Sequence, residues 1–259
     1  MAKTVKVNKE AEVSDQSVRE LKNELCLNKI GIKRFLDIIS LSGENQIKEA
    51  LLDVKKDSIS ALVKSPTNTI GISASLSGIF NEFGKIGIDD LILFKNALNI
   101  QDKENVLLTI TDNKINIASV KTKASLLLRN SEYIKNTPKE EDISKYISSV
   151  SGNEFVVSEE DIDRINKVYN LIKSENINIS SNGKTVKFIF NKLDNEIETE
   201  IDLKEKIEPF KIIVSSYILA IFNLLGEVTF STKKNANIVL LSYNKENLKV
   251  AYILATLGK

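Results

Sequence analysis

The chain has 259 residues, and its 36 basic and 35 acidic side chains leave a net charge of +1. A hydrophobic content of 42% and a charged content of 27% are typical of a globular protein, and the length allows one large domain or two ordinary ones. The near-zero net charge argues against a protein that coats polyanions with its whole surface. Any contact with nucleic acid must therefore come from locally sorted charge.

Histidine is absent and Cys26 is the only cysteine. The commonest general base and metal ligand are thus missing, and neither an ordinary zinc site nor an internal disulfide is possible. The longest apolar stretch, at 217–226, is too short to span a bilayer, and residues 1–16 lack an apolar signal region. We expect a soluble cytoplasmic protein with no cofactor, no metal site and no membrane partner.

Residues 1–24 precede the first periodic segment and are interpreted as an N-terminal extension, with a short strand at "TVKV" and a short helix near 18–24. The first repeating unit begins with the strand "LCL" at 25–27. A helix follows at 30–41, where apolar residues recur at i, i+3, i+4 and i+7. Three strands complete the unit, at 47–54, 58–64 and 68–75.

The second unit repeats this order. A strand at 84–88 leads to a helix at 89–98, and three strands follow at 105–111, 114–120 and 123–129. The segment 131–149 contains Pro138, charges and serines, a composition that predicts a connector. The first domain is therefore placed at 25–130 and the second at 150–259.

The third and fourth units follow the connector. In the third, a strand at 153–157 and a helix at 158–173 precede strands at 176–181, 184–191 and 196–202. In the fourth, a strand at 209–214 and a helix at 215–225 precede strands at 227–231, 236–243 and 248–254. The same βαβββ unit thus occurs four times, twice in each domain, and predicts an α+β protein with two similar domains.

The third unit contains Asn182-Gly183-Lys184-Thr185, whose "GKT" invites comparison with a phosphate-binding loop. Such a loop needs an earlier glycine where the chain has Asn178, and it needs a helix after it. Alternating apolar residues follow instead. Asn-Gly between alternating apolar segments predicts a tight hairpin turn, because both turn residues must accept positive φ.

Two clusters of carboxylates are the only candidates for acid–base chemistry. The cluster at 159–163 follows Ser158, and Ser158 with Asp161 predicts a capping box at a helix start. The cluster Glu140, Glu141 and Asp142 lies in the connector and is interpreted as a solvated linker. A carboxylate enzyme is kept as a remote alternative, and the sequence favours a protein without catalytic residues.

A strand–helix–three-strand unit, twice per domain, resembles the sliding clamps. The resemblance is to the two-domain type, the proliferating-cell nuclear antigen of eukaryotes and archaea and the related phage DNA polymerase processivity factors. It covers 25–259 as a pattern of elements, with local echoes in "IKRFLDII", "NKINIAS" and the ending "NLKVAYILATLGK". The resemblance implies a homotrimeric ring with antiparallel sheets outside and helices lining a central hole, which tethers a polymerase to duplex DNA.

The lining of such a hole should carry cations at phosphate height and need not read bases. The candidates are polar positions of the first three helices; they are Lys29, Lys33, Arg34, Lys95, Arg164, Lys167 and Lys173. The fourth helix offers no cation, only Ser216 or Asn223. A solvated helix face is usually charged as well, so these residues have an ordinary structural explanation too.

By the same resemblance, the ring closes through the last strands of the second and third units. The expected interface residues have apolar or opposite-charge side chains; they are Lys123, Leu126, Leu128, Arg129, Ile197, Glu198, Glu200 and Ile201. Opposite charges on paired strands could set the register. A free edge could equally be kept acidic to prevent aggregation.

Clients of such rings, the polymerase and the clamp loader, dock short peptides into an apolar pocket under the connector. The matching positions are Ile39, Leu41, Tyr146, Ile147, Leu254 and Leu257. Each could instead be an ordinary core residue. Two further alternatives stay open, a structural ring protein of a virus and a monomeric, non-ring processivity subunit. The abundance of Lys, Asn and Ile suggests an AT-rich source such as a phage.

Overall fold

The computed structural model describes residues 24–80, 82–111, 113–135, 137–150, 153–233 and 237–258. The extension predicted at 1–24 lies outside this part of the chain except for Glu24, the first residue of a strand.

Four βαβββ repeats make up the described chain, as the sequence predicts. The first consists of β1 (Glu24–Asn28), α1 (Lys29–Ser40), β2 (Ala50–Val54), β3 (Ser58–Lys64) and β4 (Ile70–Ser77). The second consists of β5 (Gly84–Ile88), α2 (Leu91–Asn99), β6 (Asn105–Thr111), β7 (Lys114–Ala118) and β8 (Lys123–Arg129). Short 3-10 turns lie at Gly43–Asn45 and Ser131–Tyr133.

The second half follows a connector that contains the helix α3 (Glu140–Val150). The third repeat consists of β9 (Glu154–Val157), α4 (Glu159–Ile172), β10 (Asn176–Ser181), β11 (Thr185–Lys192) and β12 (Asn195–Asp202). The fourth consists of β13 (Phe210–Ser215), α5 (Ile218–Leu225), β14 (Val228–Ser231), β15 (Ile238–Lys245) and β16 (Leu248–Ala255). The prediction of an α+β fold with two similar halves is confirmed.

Local sequence signals fix several boundaries. Ser158 and Asp161 form the predicted capping box at the start of α4, with each side chain bonded to the other residue's backbone N–H. Asn182 accepts from two backbone N–H groups and Gly183 has φ +94°, so the Asn-Gly sequence forms the predicted turn between β10 and β11. The strand β11 follows this turn, and no helix follows it to complete a phosphate-binding loop.

Each domain is held together by an exchange of first strands between its repeats. In the first half β1 pairs with β6 and β5 pairs with β2; in the second, β9 pairs with β14 and β13 pairs with β10. All these pairs are antiparallel. The outcome is a 12-stranded sheet in the order β1-β6-β7-β8-β5-β2-β3-β4-β16-β15-β14-β9 and a 4-stranded sheet in the order β12-β11-β10-β13.

The two halves meet where β4 pairs with β16, the last strands of the first and fourth repeats. Tyr252 of β16 is fully buried there, and its hydroxyl donates to the Ile38 carbonyl of α1 over 2.7 Å. Burial raises the pKa of Tyr252. The Tyr217 hydroxyl, at the start of α5, donates to Ser42 O and accepts from Ser42 N. The junction is therefore a continuous sheet backed by buried side chains.

Helices α1, α2, α4 and α5 pack their apolar stripes on one face of the sheets, with Phe35, Phe94 and Phe222 among the buried residues. The helix α3 lies on the opposite face. Along β16, Tyr252 faces the main core, whereas its neighbour Ile253 belongs to a separate apolar cluster beneath α3. Successive side chains of a strand point to opposite faces, so α3 covers the outer side of β15 and β16.

The connector therefore differs from the solvated linker that its polar composition predicts. Glu140, Glu141 and Asp142 are exposed, but they form the first turn of α3. Below them Ile143 and Val150 are buried and Ile147 is partly buried against the same cluster. The sequence does place apolar residues at helical spacing in the connector. The prediction of a solvated linker relied instead on the acidic residues and Pro138.

Candidate nucleic-acid and subunit interfaces

The four helices of the repeats form one continuous row. Helix α1 contacts both α2 and α5, and α5 contacts α4, which gives the order α2-α1-α5-α4. Lys29 at the start of α1 donates to Gln101 O, just beyond the end of α2, over 2.8 Å, so these helices run antiparallel. Asn166 of α4 donates to Asn223 of α5 over 2.6 Å. The row presents one long helical surface away from the sheets.

Three of the seven cations predicted to contact DNA are free on this row. Lys33 of α1, Lys167 of α4 and Lys173 at the end of α4 are exposed, and no ion pair or side-chain hydrogen bond joins them to another described residue. A mobile lysine can follow a phosphate without holding it in one place, because its charge sits on a flexible stem.

Lys29 and Lys95 are held by neighbouring helices. Lys29 bonds the Gln101 carbonyl, and Lys95 of α2 forms a 2.7 Å ion pair with Asp37 of α1. The Lys95 side chain is only 19% exposed. Both residues therefore fasten α1 to α2, and the ion pair neutralises Lys95 locally.

The two arginines are also engaged within the chain. Arg34 donates to the Tyr243 hydroxyl over 2.7 Å, stacks over its ring and lies 3.6 Å from Glu246, so it bridges the two halves. Arg164 donates to Asp161 over 2.6 Å and to the carbonyl of Glu200 over 2.9 Å, which ties α4 to β12. The four engaged cations were predicted from helical position alone, which carries no information about a partner on another element.

The α4–α5 part of the row has charged residues on α4 but none on α5. A cleft of about 820 Å³ lies beside these helices, and its lining contains four asparagines and the two acidic residues Glu44 and Glu175. The amide residues are Asn166, Asn170, Asn176 and Asn223. The sequence predicts the absence of a cation on α5, and the residues that line the cleft include no lysine or arginine.

Strands β1, β9, β12 and β13 end the two sheets of the described chain, and β8 is paired along only part of its second side. β12 pairs only with β11, and β8 pairs with β7 on one side while only Leu128 and Arg129 pair with β5 on the other. These are the last strands of the third and second repeats, which were predicted as subunit edges. Unpaired backbone groups on such edges invite pairing with another chain.

The outer faces of β12 and β8 differ in charge. β12 exposes Glu196, Glu198 and Glu200, whereas β8 exposes Lys123. Lys187 of β11 donates to Glu198 over 2.7 Å, and this hydrogen bond raises the pKa of Lys187. The inward residues Leu126, Leu128 and Ile197 are partly buried against the main core, and Ile201 is buried within it.

Arg129 departs from the expectation that it faces a neighbouring subunit. Its guanidinium donates to Glu49 over 2.7 Å and to Asp89 over 2.6 Å. Both carboxylates belong to the same chain. Arg129 thus anchors the end of β8 against the first domain.

The six residues predicted for a client pocket are not brought together. Ile39, Leu41 and Leu254 are buried in the main core on the helix side of the sheet. Ile147 packs in the outer cluster under α3, while Tyr146 and Leu257 are 48% and 39% exposed. The alternation of side chains across the sheet separates these groups. Only Tyr146, Ile147 and Leu257 remain candidates for an outer docking surface.

No group of His, Cys, Asp and Glu side chains in the described ranges is arranged to hold a metal ion. Among the same residues, no helix is long and apolar enough to cross a membrane.

No family model and no curated protein matches the chain. Solved structures do match. The proliferating cellular nuclear antigen of Entamoeba histolytica has a TM-score of 0.72 at 14% identity, over 91% of this chain and 98% of that one. The A. fulgidus PCNA, crystallised with the C-terminal region of FEN-1, has a TM-score of 0.72 at 15% identity, over 91% and 98%.

The chain has the sliding-clamp fold. The beta chain of DNA polymerase III from Streptococcus pneumoniae also matches, with a TM-score of 0.70 at 14% identity. The alignment covers 91% of this chain and 65% of that one. In length the chain is similar to the nuclear-antigen chains, of which the alignments cover 98%.

Proposed function

We propose that this protein is a DNA sliding clamp, a homotrimeric ring that encircles duplex DNA without reading its sequence and tethers the replicative DNA polymerase. It acts by binding and has no catalytic role. The observation that carries the proposal is the unbroken row of four helices backed by sheets, in a chain whose strands β8 and β12 have open edges of opposite charge.

The chain's own junction supplies a template for ring closure. The first repeat aligns with the third through the helix caps Asn28 and Ser158. The second repeat aligns with the fourth. Arg129 pairs with Gly87 of β5 in the second repeat, and at the matching place in the fourth Leu257 N donates to Ile213 O of β13. The joined strands β4 and β16 therefore correspond to the open strands β12 and β8.

This correspondence predicts a register for the contact between subunits. In the junction, Ser73 lies opposite Ala251. The matching residues are Glu198 and Lys123 of the neighbouring subunit, which have opposite charges. Moving two residues along each strand brings Glu200 opposite Lys121. Opposite charges on directly paired strands favour pairing in that register.

The same register accounts for apolar residues that are exposed in the single chain. Leu193, in the turn before β12, is 93% exposed, and Val120, in the turn before β8, is 69% exposed. In the proposed ring Leu193 lies next to Leu128, and Val120 lies next to Ile201. Removing these side chains from water favours association.

The proposed contact with DNA is made by Lys33, Lys167 and Lys173. These cations are exposed and unpaired within the described chain, so they can reach phosphates as the ring moves. The other four predicted cations hold elements of the same chain together; they are Lys29, Arg34, Lys95 and Arg164. Few free cations, and none on α5, suit weak, sequence-independent contact that permits sliding.

We propose that the polymerase and a clamp loader dock short peptides on the outer face, near Tyr146, Ile147 and Leu257. Two observations support this location. The first two residues lie on α3, and Tyr146 and Leu257 are exposed apolar side chains. The PCNA of A. fulgidus was crystallised with the C-terminal region of FEN-1, which is a peptide partner of that protein. The abundance of Lys, Asn and Ile favours a phage protein acting in the host cytoplasm.

A structural ring protein is the second candidate, and the cleft beside α4 and α5, whose lining contains no lysine or arginine, is the observation that favours it. Retention on DNA separates the two functions. A clamp loaded on nicked circular DNA stays bound in high salt and is released when the circle is cut to leave free ends. A structural ring shows no association with either DNA at low salt. A chain that binds DNA as a monomer would instead support the non-ring processivity subunit.

A further inference from the structure

Leu171, near the end of α4, is the most exposed apolar residue on the described helices, at 77%. Single exposed leucines are common on protein surfaces and need no partner. Leu171 differs because the chain contains its counterpart. Leu41 follows the cap Asn28 at the same distance as Leu171 follows the cap Ser158, and Leu41 is only 7% exposed.

Leu41 lies at the junction between the two halves. Beside it, the Tyr252 hydroxyl bonds Ile38 O and the Tyr217 hydroxyl bonds Ser42. Ile38 is fully buried at this junction. The end of α1 is therefore covered by residues of the fourth repeat.

The counterparts of those covering residues belong to the second repeat. Asp90 is the N-cap of α2 as Tyr217 is the N-cap of α5, and Ala124 of β8 corresponds to Tyr252 of β16. Both replacements are smaller than the tyrosines, so the second site has room for additional side chains.

Two exposed leucines can fill this room. The helix α4 has 14 residues where α1 has 12, so Leu171 still lies on the helix. On α2, Leu93 stands where α5 has Ala220, and Leu93 is 51% exposed. Leu93 thus restores part of the bulk removed from the strand and the helix cap, and Leu171 is the leucine that matches Leu41.

We propose that Leu171 packs against Leu93 and Ala124 of the neighbouring subunit, so that a helix–helix contact seals the inner wall behind the strand pairing. The inference rests on the ring of the proposed function and adds a second layer to its subunit contact. The partner is another copy of this chain, because only the second repeat supplies the surface that matches the chain's own junction.

Two cysteine pairs test the contact in a Cys26→Ser background. One pair, Leu93→Cys with Leu171→Cys, reports the helix contact through a short bismaleimide cross-linker. The other, Lys123→Cys with Glu198→Cys, reports strand pairing by disulfide formation. We expect both to give covalent dimers and trimers on denaturing gels, and we expect each single-cysteine variant to give no covalent trimer.

Leu171→Asp provides a second measurement, with Ile79→Asp as the matched control. Ile79 is 96% exposed on the loop after β4 and belongs to neither β8 nor β12. Neither substitution should alter the circular dichroism spectrum. By sedimentation equilibrium we expect Leu171→Asp to weaken assembly at least tenfold and Ile79→Asp to change it less than twofold.

The outcomes separate the two proposals. Strand cross-links without helix cross-links, or equal assembly of the two aspartate variants, would overturn the leucine contact and leave the ring intact. Failure of both cysteine pairs to cross-link would reject the ring itself, together with this contact.

Discussion

Reversing the charge of Lys123 perturbs the subunit contact at one point. In the proposed register Lys123 faces Glu198 of the next subunit, so Lys123→Glu replaces an attractive pair with a repulsive one. A cross-strand charge pair contributes roughly 0.2–1 kcal/mol, and a repulsive pair costs a similar amount. The change is therefore about 0.4–2 kcal/mol per contact, or roughly a 2- to 30-fold weaker association.

Reversing Glu198 has a larger expected effect. In the single chain Glu198 also accepts a 2.7 Å hydrogen bond from Lys187. Glu198→Lys therefore loses the subunit pair and adds repulsion beside Lys187. The double variant, which combines Lys123→Glu with Glu198→Lys, regains the attraction across the subunit contact but still lacks the bond to Lys187. We expect its assembly to lie between those of the wild type and Glu198→Lys.

Sedimentation equilibrium over a range of salt concentrations measures these differences. The gap between wild type and Lys123→Glu should narrow as salt increases, because exposed pairs are screened. A Lys211→Glu variant, which changes an exposed charge on β13, serves as the control for net charge. Two results would refute the proposed register. One is equal association of the wild type, Lys123→Glu, Glu198→Lys and the double variant. The other is a double variant that associates no more strongly than Glu198→Lys.

Three further predictions concern the junction, the helical row and α3. Tyr252→Phe leaves a buried carbonyl without its donor and should lower the free energy of unfolding by about 1–3 kcal/mol in urea titrations; an unchanged midpoint would contradict this role. Combined Lys33→Ala and Lys167→Ala should reduce the salt dependence of DNA binding by about one phosphate contact per lysine, whereas Lys95→Ala should leave it unchanged. Ile147→Asp places a charge against the apolar cluster under α3, so it should release the helix and speed proteolysis of the connector. An unchanged rate of proteolysis would contradict this role of Ile147.

The repeats could be predicted from the sequence because local patterns of residues determine their helices, strands and turns. The apolar period changes from strand to helix and back in each unit, and turns such as Asn182-Gly183 mark the boundaries. The capping box at Ser158 is equally local. These signals depend on neighbours in the chain, so one sequence carries them.

The functional surfaces depend on contacts between distant segments and were predicted less well. Lys95 occupies a polar helix position, but its partner Asp37 lies on another helix. Ile39 and Tyr146 both look available in the sequence, yet they lie on opposite faces of the sheet. Pairing between elements decides which polar groups stay free, and local periodicity does not encode that pairing.

The central claim is that identical chains close into a ring with α-helices innermost. Electron microscopy of the purified protein at micromolar concentration tests it most directly. We expect class averages of a closed ring with six similar lobes around an open centre, because three chains contribute two domains each. Particles of single chains, or assemblies without a central opening, would contradict it.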